Sequence, residues 1–164
     1  MLDALAASGP HPDHADKLML FGQFVGAWDF DGFFTTPDDE RHDMTGEWHF
    51  GWVLEGRAVQ DVLICPPRGD GPALEYGSTV RFYDPDIDAW QITWITPPRR
   101  AVVRLVGRPL DDRIVLEGDG ATGILRWTFS DIAPETFTWR GYLSRDAGAT
   151  WEQREEMRLR RRAG

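Results

Sequence analysis

The chain has 164 residues, with 27 Asp and Glu against 18 Lys and Arg, a formal net charge of −9 and one cysteine, Cys65. That length suits one domain with a real core and leaves no room for a second of normal size. The acidic balance argues against nucleic acid or an anionic membrane as a partner held by bulk electrostatics, and a lone cysteine excludes an intrachain disulfide.

The first residues, "MLDALAASGPHPDHADK", lack a basic start followed by a long apolar run. They make a poor signal peptide, and no stretch is long enough to span a bilayer as a helix, so a soluble, cytoplasmic protein is expected. Residues 1–12, rich in Ala, Gly and Pro, read as a flexible tail, and residues 13–164 as a single domain. "HADKLMLFGQF" spaces Leu18, Phe21 and either Phe24 or Val25 as one face of a short helix, with Asp13 or Asp16 near its start.

From Phe24 onward apolar and polar residues alternate, with turn signals roughly every eight to twelve residues. About ten strands follow: 24–34, 44–56, 57–65, 75–84, 89–96, 99–107, 113–119, 123–132, 136–144 and 150–160. Sequential hairpins without a long crossover predict an all-β, antiparallel up-and-down β-barrel, closed so that no edge is exposed, with the short N-terminal helix capping one end.

Alternate residues of a strand face opposite sides, so inward sets can be assigned. They include Trp28 and Phe30; Trp48, Phe50 and Trp52; Tyr76, Ser78, Val80 and Phe82; Trp90, Ile92 and Trp94; Ala101, Val103 and Leu105; Phe137, Trp139 and Leu143. The last strand sets Trp151, Gln153, Glu155, Met157 and Leu159 opposite a solvent face of Glu and Arg. In strand 57–65, pairing across Gly56 places Gln60 inside. In strand 123–132 either Arg126 and Thr128 or Leu125, Trp127 and Phe129 point in. Arg126 is favoured because an inward guanidinium near Glu155 would offset that carboxylate's desolvation.

"SRDAGATW", Ser144 to Trp151, resembles the Asp-box of sialidases. A sialidase propeller repeats the motif between blades, and this chain has one copy. It is therefore read as a hairpin turn in which Asp146 accepts backbone N–H groups, Gly148 supplies a positive φ and Trp151 packs beneath. The terminal "RLRRR" reads as basic outward positions of a last strand and a solvated tail.

The expected interior is aromatic-walled, with Gln60, Tyr76, Ser78, Arg126, Gln153 and Glu155 converging, a composition typical of ligand sites. Trp28, Trp48, Trp52, Trp90, Trp94 and Trp139 would give apolar contact area, alongside Gln60, Ser78 and Gln153. The opposing reading has the tryptophans simply filling the barrel. Eight tryptophans are hard to fit as a solid plug.

"GAW" at Gly26–Trp28, after a short helix and opening the first strand, resembles the G-x-W signature of lipocalins. The runs 52–62, 80–95 and 126–141 and the Ser144–Trp151 hairpin resemble an uncharacterised bacterial branch of lipocalin-like, or calycin, barrels. The resemblance covers nearly all of the chain from about Leu18. It implies the barrel more than an activity, since that fold hosts carriers, haem proteins and some enzymes.

Haem or a metal would need inward histidines. His49 shares a face with Glu47 on the solvent side, His42 lies in a loop, and His11 and His14 lie in the tail, so no metal or cofactor is expected. No nucleophile elbow or phosphate loop appears, and "GDGATG" (118–123) reads as a turn. The first functional expectation is non-covalent binding of a small apolar or aromatic molecule bearing a polar head. The second is a proton-transfer enzyme of the isomerase, cyclase or hydratase kind. There Glu155, its pKa raised by burial, would act as acid or base, with Arg126 or Tyr76 stabilising an oxyanion. The third is an interaction protein with a solid barrel. A homodimer is allowed for.

Overall fold

The structure, a computed structural model, describes residues 5–67 and 75–163. One short helix, α1 (Ala15–Gly22), precedes ten strands: β1 (Gly26–Thr35), β2 (Arg41–Val53), β3 (Ala58–Cys65), β4 (Glu75–Asp84), β5 (Ala89–Thr96), β6 (Ala101–Leu110), β7 (Arg113–Gly120), β8 (Gly123–Ser130), β9 (Thr136–Ser144) and β10 (Glu152–Arg161). Each strand pairs antiparallel with its neighbour in sequence, and β1 pairs with β10 to close the barrel. Closure removes both sheet edges, so the long strands leave no unpaired ladder for another chain to extend.

α1 follows His14, whose backbone is left-handed and whose side chain makes no cap, so neither Asp13 nor Asp16 caps it. The helix presents Leu18 and Phe21, and the chain beyond it presents Phe24, each buried. The Phe21 and Phe24 rings enter the near end of the barrel and pack as an aromatic plug. Phe21 lies edge-on to Trp90 at 4.8 Å, Phe24 lies 4.6 Å from Phe137, and Phe137 lies 4.7 Å from Trp28. The Trp28 indole N–H donates to the Phe24 carbonyl at 2.7 Å, tying the start of β1 to the chain leaving the helix.

The arginines of the C-terminus divide by strand parity. Arg161 stacks 4.1 Å over Trp28 and donates to the carbonyls of Val25, Gln23 and Pro134, closing the same end. Arg158 and Arg160 pair with Asp31 on the outside, and Arg162 with Asp29 and Glu47. The outward positions of the last strand are thus basic, as expected, and pair with the acidic outer face of β1 and β2, while Arg161 and Arg162 are held by the barrel rather than forming a solvated tail.

Of the segment read as a flexible tail, 1–12, the described residues make backbone contacts with the barrel at Ala7 and His11. The N–H of Ala7 donates to the Trp52 carbonyl and that of His11 to the Gly56 carbonyl.

Candidate functional site

Beyond the plug the barrel is hollow. A cavity of about 260 Å³ occupies the end opposite α1, walled mainly by Trp48, Trp94, Trp127, Trp139, Phe34 and Met157 and floored by Phe129. Phe129 stacks on Phe137 of the plug at 5.7 Å, so one ring marks the boundary between filled and hollow halves. Two glycines make room for the wall. A Cβ at Gly77 would lie 2.4 Å from Cζ2 of Trp94, and one at Gly141 would lie 3.0 Å from the Trp139 ring and 3.4 Å from Cβ of Glu155.

Of the tryptophans expected to line a site, Trp48, Trp94 and Trp139 do so. Trp28 and Trp90 belong to the plug, and Trp52 packs beside Gly22 of α1. Trp127, which lines the cavity, belongs to the inward set not favoured for β8.

Most of the polar assignments change. In β3 Val59, Asp61, Leu63 and Cys65 are buried in alternation, so Gln60 faces outward, where its amide donates to the Ser78 hydroxyl at 3.0 Å. Register carries that inversion into β4, where Gly77, Thr79 and Arg81 are buried and Tyr76, Ser78, Val80 and Phe82 face out. Tyr76 is exposed. Apolar alternation misled here because the inward face of β4 carries glycine, threonine and arginine, whereas its outer face carries Tyr76, Val80 and Phe82.

Arg126 points outward. It bonds Glu117 across the β7–β8 ladder and stacks 3.7 Å over the Trp151 ring. Leu125, Trp127 and Phe129 point in instead. Gln153 also lies outside, bonding Glu156, because β10 carries a bulge: Gln153 pairs with Tyr142 and Glu155 with Gly141, leaving Arg154 as the extra residue. A bulge shifts parity by one, so Gln153 and Trp151 no longer share a face with Glu155. Arg154 bonds Asp39 at 2.7 Å and the Thr36 carbonyl, clasping the β1–β2 turn to β10.

The polar side chains on the inward face are therefore mostly ones that sequence reasoning did not place there. Deepest is Arg81, whose guanidinium pairs through Nη2 with Asp61; the other Asp61 oxygen accepts the Thr79 N–H at 3.1 Å. Both partners are 1 % exposed. The same guanidinium lies 5.0 Å from the Phe21 ring and 5.3 Å from Phe50, facing the plug. Its Nε and Nη1, and the indole Nε1 of Trp48, are buried without a hydrogen-bond partner. The signal in sequence was "QD" beside a strand containing a lone arginine: two charges at diagonal positions of one inward face, Asp61 opposite Thr79 and Arg81 opposite Val59.

At the open end Glu75 opens β4, held by the Thr96 hydroxyl and by Arg99 Nε at 2.9 Å. Glu155 lies across from them on β10 and lines the cavity. Its intermediate exposure is to that cavity, and the protein packed around its carboxyl pushes its pKa up; the nearby Arg99 opposes the shift and Glu75 adds to it.

The Ser144–Trp151 turn lies outside the site. Asp146 accepts from the Thr150 N–H at 2.8 Å, the Thr150 hydroxyl at 2.6 Å and the Ser144 hydroxyl, which hold its pKa down to about 2. Gly148 takes φ 90°, the positive value the turn requires.

Among the described residues no group of three or more His, Cys, Asp or Glu could hold a metal ion, and no helix is long and apolar enough to cross a membrane. No protein-family model matches the sequence, and no curated protein matches it. Solved structures do match the fold. Rv2717c from M. tuberculosis superposes with a TM-score of 0.65 at 13 % identity, over 94 % of this chain and 99 % of that one. The S-type phycobiliprotein lyase CPES from Guillardia theta superposes with a TM-score of 0.62 at 11 % identity, over 89 % and 92 %. The chain thus shares its fold with both.

Proposed function

We propose that this barrel binds a small, largely apolar or aromatic molecule in the hollow half described above. The observation that carries the reading is a cavity of about 260 Å³ inside the closed barrel whose wall is largely aromatic, with the Glu155 carboxylate among its lining residues. Trp48, Trp94, Trp127 and Trp139 supply contact area to which hydrocarbon or ring surface can be transferred from water.

The test pairs a native mass spectrum of freshly purified protein with a titration of 1-aminoanthracene, a neutral apolar dye. The reading expects either a co-purifying mass lost on denaturation or saturable one-to-one dye binding. It also expects Val103→Trp, whose indole would occupy the cavity, to abolish binding while the far-ultraviolet dichroism stays unchanged. A bare mass together with no dye binding would overturn the reading, and so would dye binding that survives Val103→Trp.

A proton-transfer enzyme is the second reading, favoured by one observation: Glu155 presents a carboxyl of raised pKa to an apolar cavity. Such a group is suited to acid and base work. Arg126 and Tyr76 cannot assist it from the outer face, so oxyanion stabilisation would fall to Arg99 at the open end. One neighbour of the same fold is named a phycobiliprotein lyase, which supports keeping this reading beside the first. Glu155→Gln separates the readings, since a binder keeps its affinity and an enzyme loses turnover.

A further inference from the structure

We propose that the occupant is a bulky organic ammonium ion, a tertiary or quaternary amine on an aromatic or alicyclic body, seated with its cationic head between the Glu155 carboxylate and the indole wall. The inference names the ligand class of the binding reading above and rests on it.

Charge comes first. Among the described residues, the charged side chains that line the cavity are Glu75, Arg81, Arg99 and Glu155. Arg81 is paired with Asp61, and Arg99 with Glu75. No hydrogen bond or ion pair from a described residue reaches the Glu155 carboxyl, on which Arg99, Glu75 and Arg154 act only across space. Its partners in the ladders are Phe34 on β1 and Gly141 on β9, which bring no charge. The wall thus carries two neutral pairs and one carboxyl without a counter-ion. Burial pushes that carboxyl toward its protonated form, and an entering cation would favour the ionised one.

Placement comes second. The gap over Gly141 is bounded by the Trp139 ring on one side and Cβ of Glu155 on the other, so the carboxyl and an indole are neighbours. Trp139 meets Trp127 at 5.6 Å and 59° and Trp48 at 6.3 Å and 82°, and Trp127 meets Trp94 at 6.5 Å and 85°. Rings so steeply inclined form corners rather than a stack, and all four line the cavity. Indole faces attract cations, which is how aromatic cages hold alkylated ammonium groups.

Hydrogen-bonding capacity decides among cations. Glu75 already accepts from the Thr96 hydroxyl and Arg99, so Glu155 is the lining carboxyl with lone pairs to spare. A primary ammonium brings three N–H donors and would need further acceptors from a largely apolar wall. A tertiary one brings a single donor, and a quaternary one none. An anion is disfavoured twice, by Glu155 at the site and by the net charge of −9 during approach.

Three ligands that share a naphthalene body and a tetrahedral head, and differ in charge, test this by displacement of 1-aminoanthracene at pH 7.5. They are trimethyl(2-naphthyl)ammonium, 2-tert-butylnaphthalene and 2-naphthalenesulfonate. The ammonium should bind at least about tenfold more tightly than its neutral isostere, and the sulfonate most weakly. In Glu155→Gln, with far-ultraviolet dichroism confirming the fold, the ratio of ammonium to isostere affinity should fall at least about fivefold, while the sulfonate gains. The loss is confined to the charged head, so the neutral dye still binds, and opposite shifts for the two ions distinguish lost charge from a general disturbance of the cavity. An ammonium bound no more tightly than its isostere, a sulfonate bound most tightly, a preference for the ammonium that survives Glu155→Gln in full, or failure of all three to displace bound dye would each overturn the inference while leaving a binding cavity. No binding of the dye or of any of the three by protein of bare native mass would remove the cavity reading, and this inference with it.

Discussion

Separating Asp61 from Arg81 tests the interior most directly. Both are 1 % exposed, one on β3 and one on β4, and they are bonded to each other. Arg81→Met leaves a buried carboxylate with only the Thr79 N–H, and Asp61→Asn keeps an acceptor for that N–H but strands the guanidinium. Breaking a buried pair in this way costs about 3–5 kcal/mol. Unfolding entropy of ~2.1 cal/mol/K per residue gives ~0.34 kcal/mol/K for this chain, so each single variant should melt about 9–15 °C lower. The double variant removes both charges together, and it should cost less than either single one. Urea unfolding of all four proteins at pH 7 reads this cycle. Single variants within about 1 kcal/mol of the parent, or a double variant costing as much as the two singles added, would refute the claim that the charges depend on each other in an enclosed interior.

Glu155→Gln should stabilise the protein at neutral pH. A carboxyl whose folded pKa is raised above its ordinary 4.5 holds its proton more tightly folded than unfolded. Its ionisation therefore weakens the fold as pH rises from about 4.5 through the folded value, and the variant's advantage should vanish below pH 4.5. Thermal melts from pH 4 to 8 check this, and a constant difference across that range would contradict it. Asp146→Ala should lower stability with the opposite pH dependence. Asp146 is held down at about 2 from 3.8, so its contribution is present above pH 3.8 and is lost as pH falls toward 2. Ligand affinity should survive in the folded Asp146→Ala protein. Phe129→Ala, at the boundary of plug and cavity, should cost about 3–5 kcal/mol by denaturant unfolding. Trp94→Leu, in the hollow wall, should cost less, because one side of that ring already lacks neighbours.

The chain of hairpins, the closing helix and the inward positions in β1, β2, β5, β6 and β9 were legible because those strands alternate apolar and polar residues. Strand parity is local, and turn signals such as Pro97-Pro98 and Ser144–Trp151 mark strand ends without reference to the rest of the molecule. What only the tertiary structure decided were the inward faces of β3, β4 and β8 and the bulge at Arg154. On β3 and β4 the two faces have similar hydropathy, because a buried Asp61 and Arg81 are tolerated inside only when register brings them together. On β8 Arg126 finds Glu117 and the Trp151 ring outside, partners supplied by neighbouring strands. The division into a plugged half and a hollow half was equally beyond the sequence. It depends on how far Phe21 and Phe24 reach into the barrel, and therefore on where α1 sits across its end.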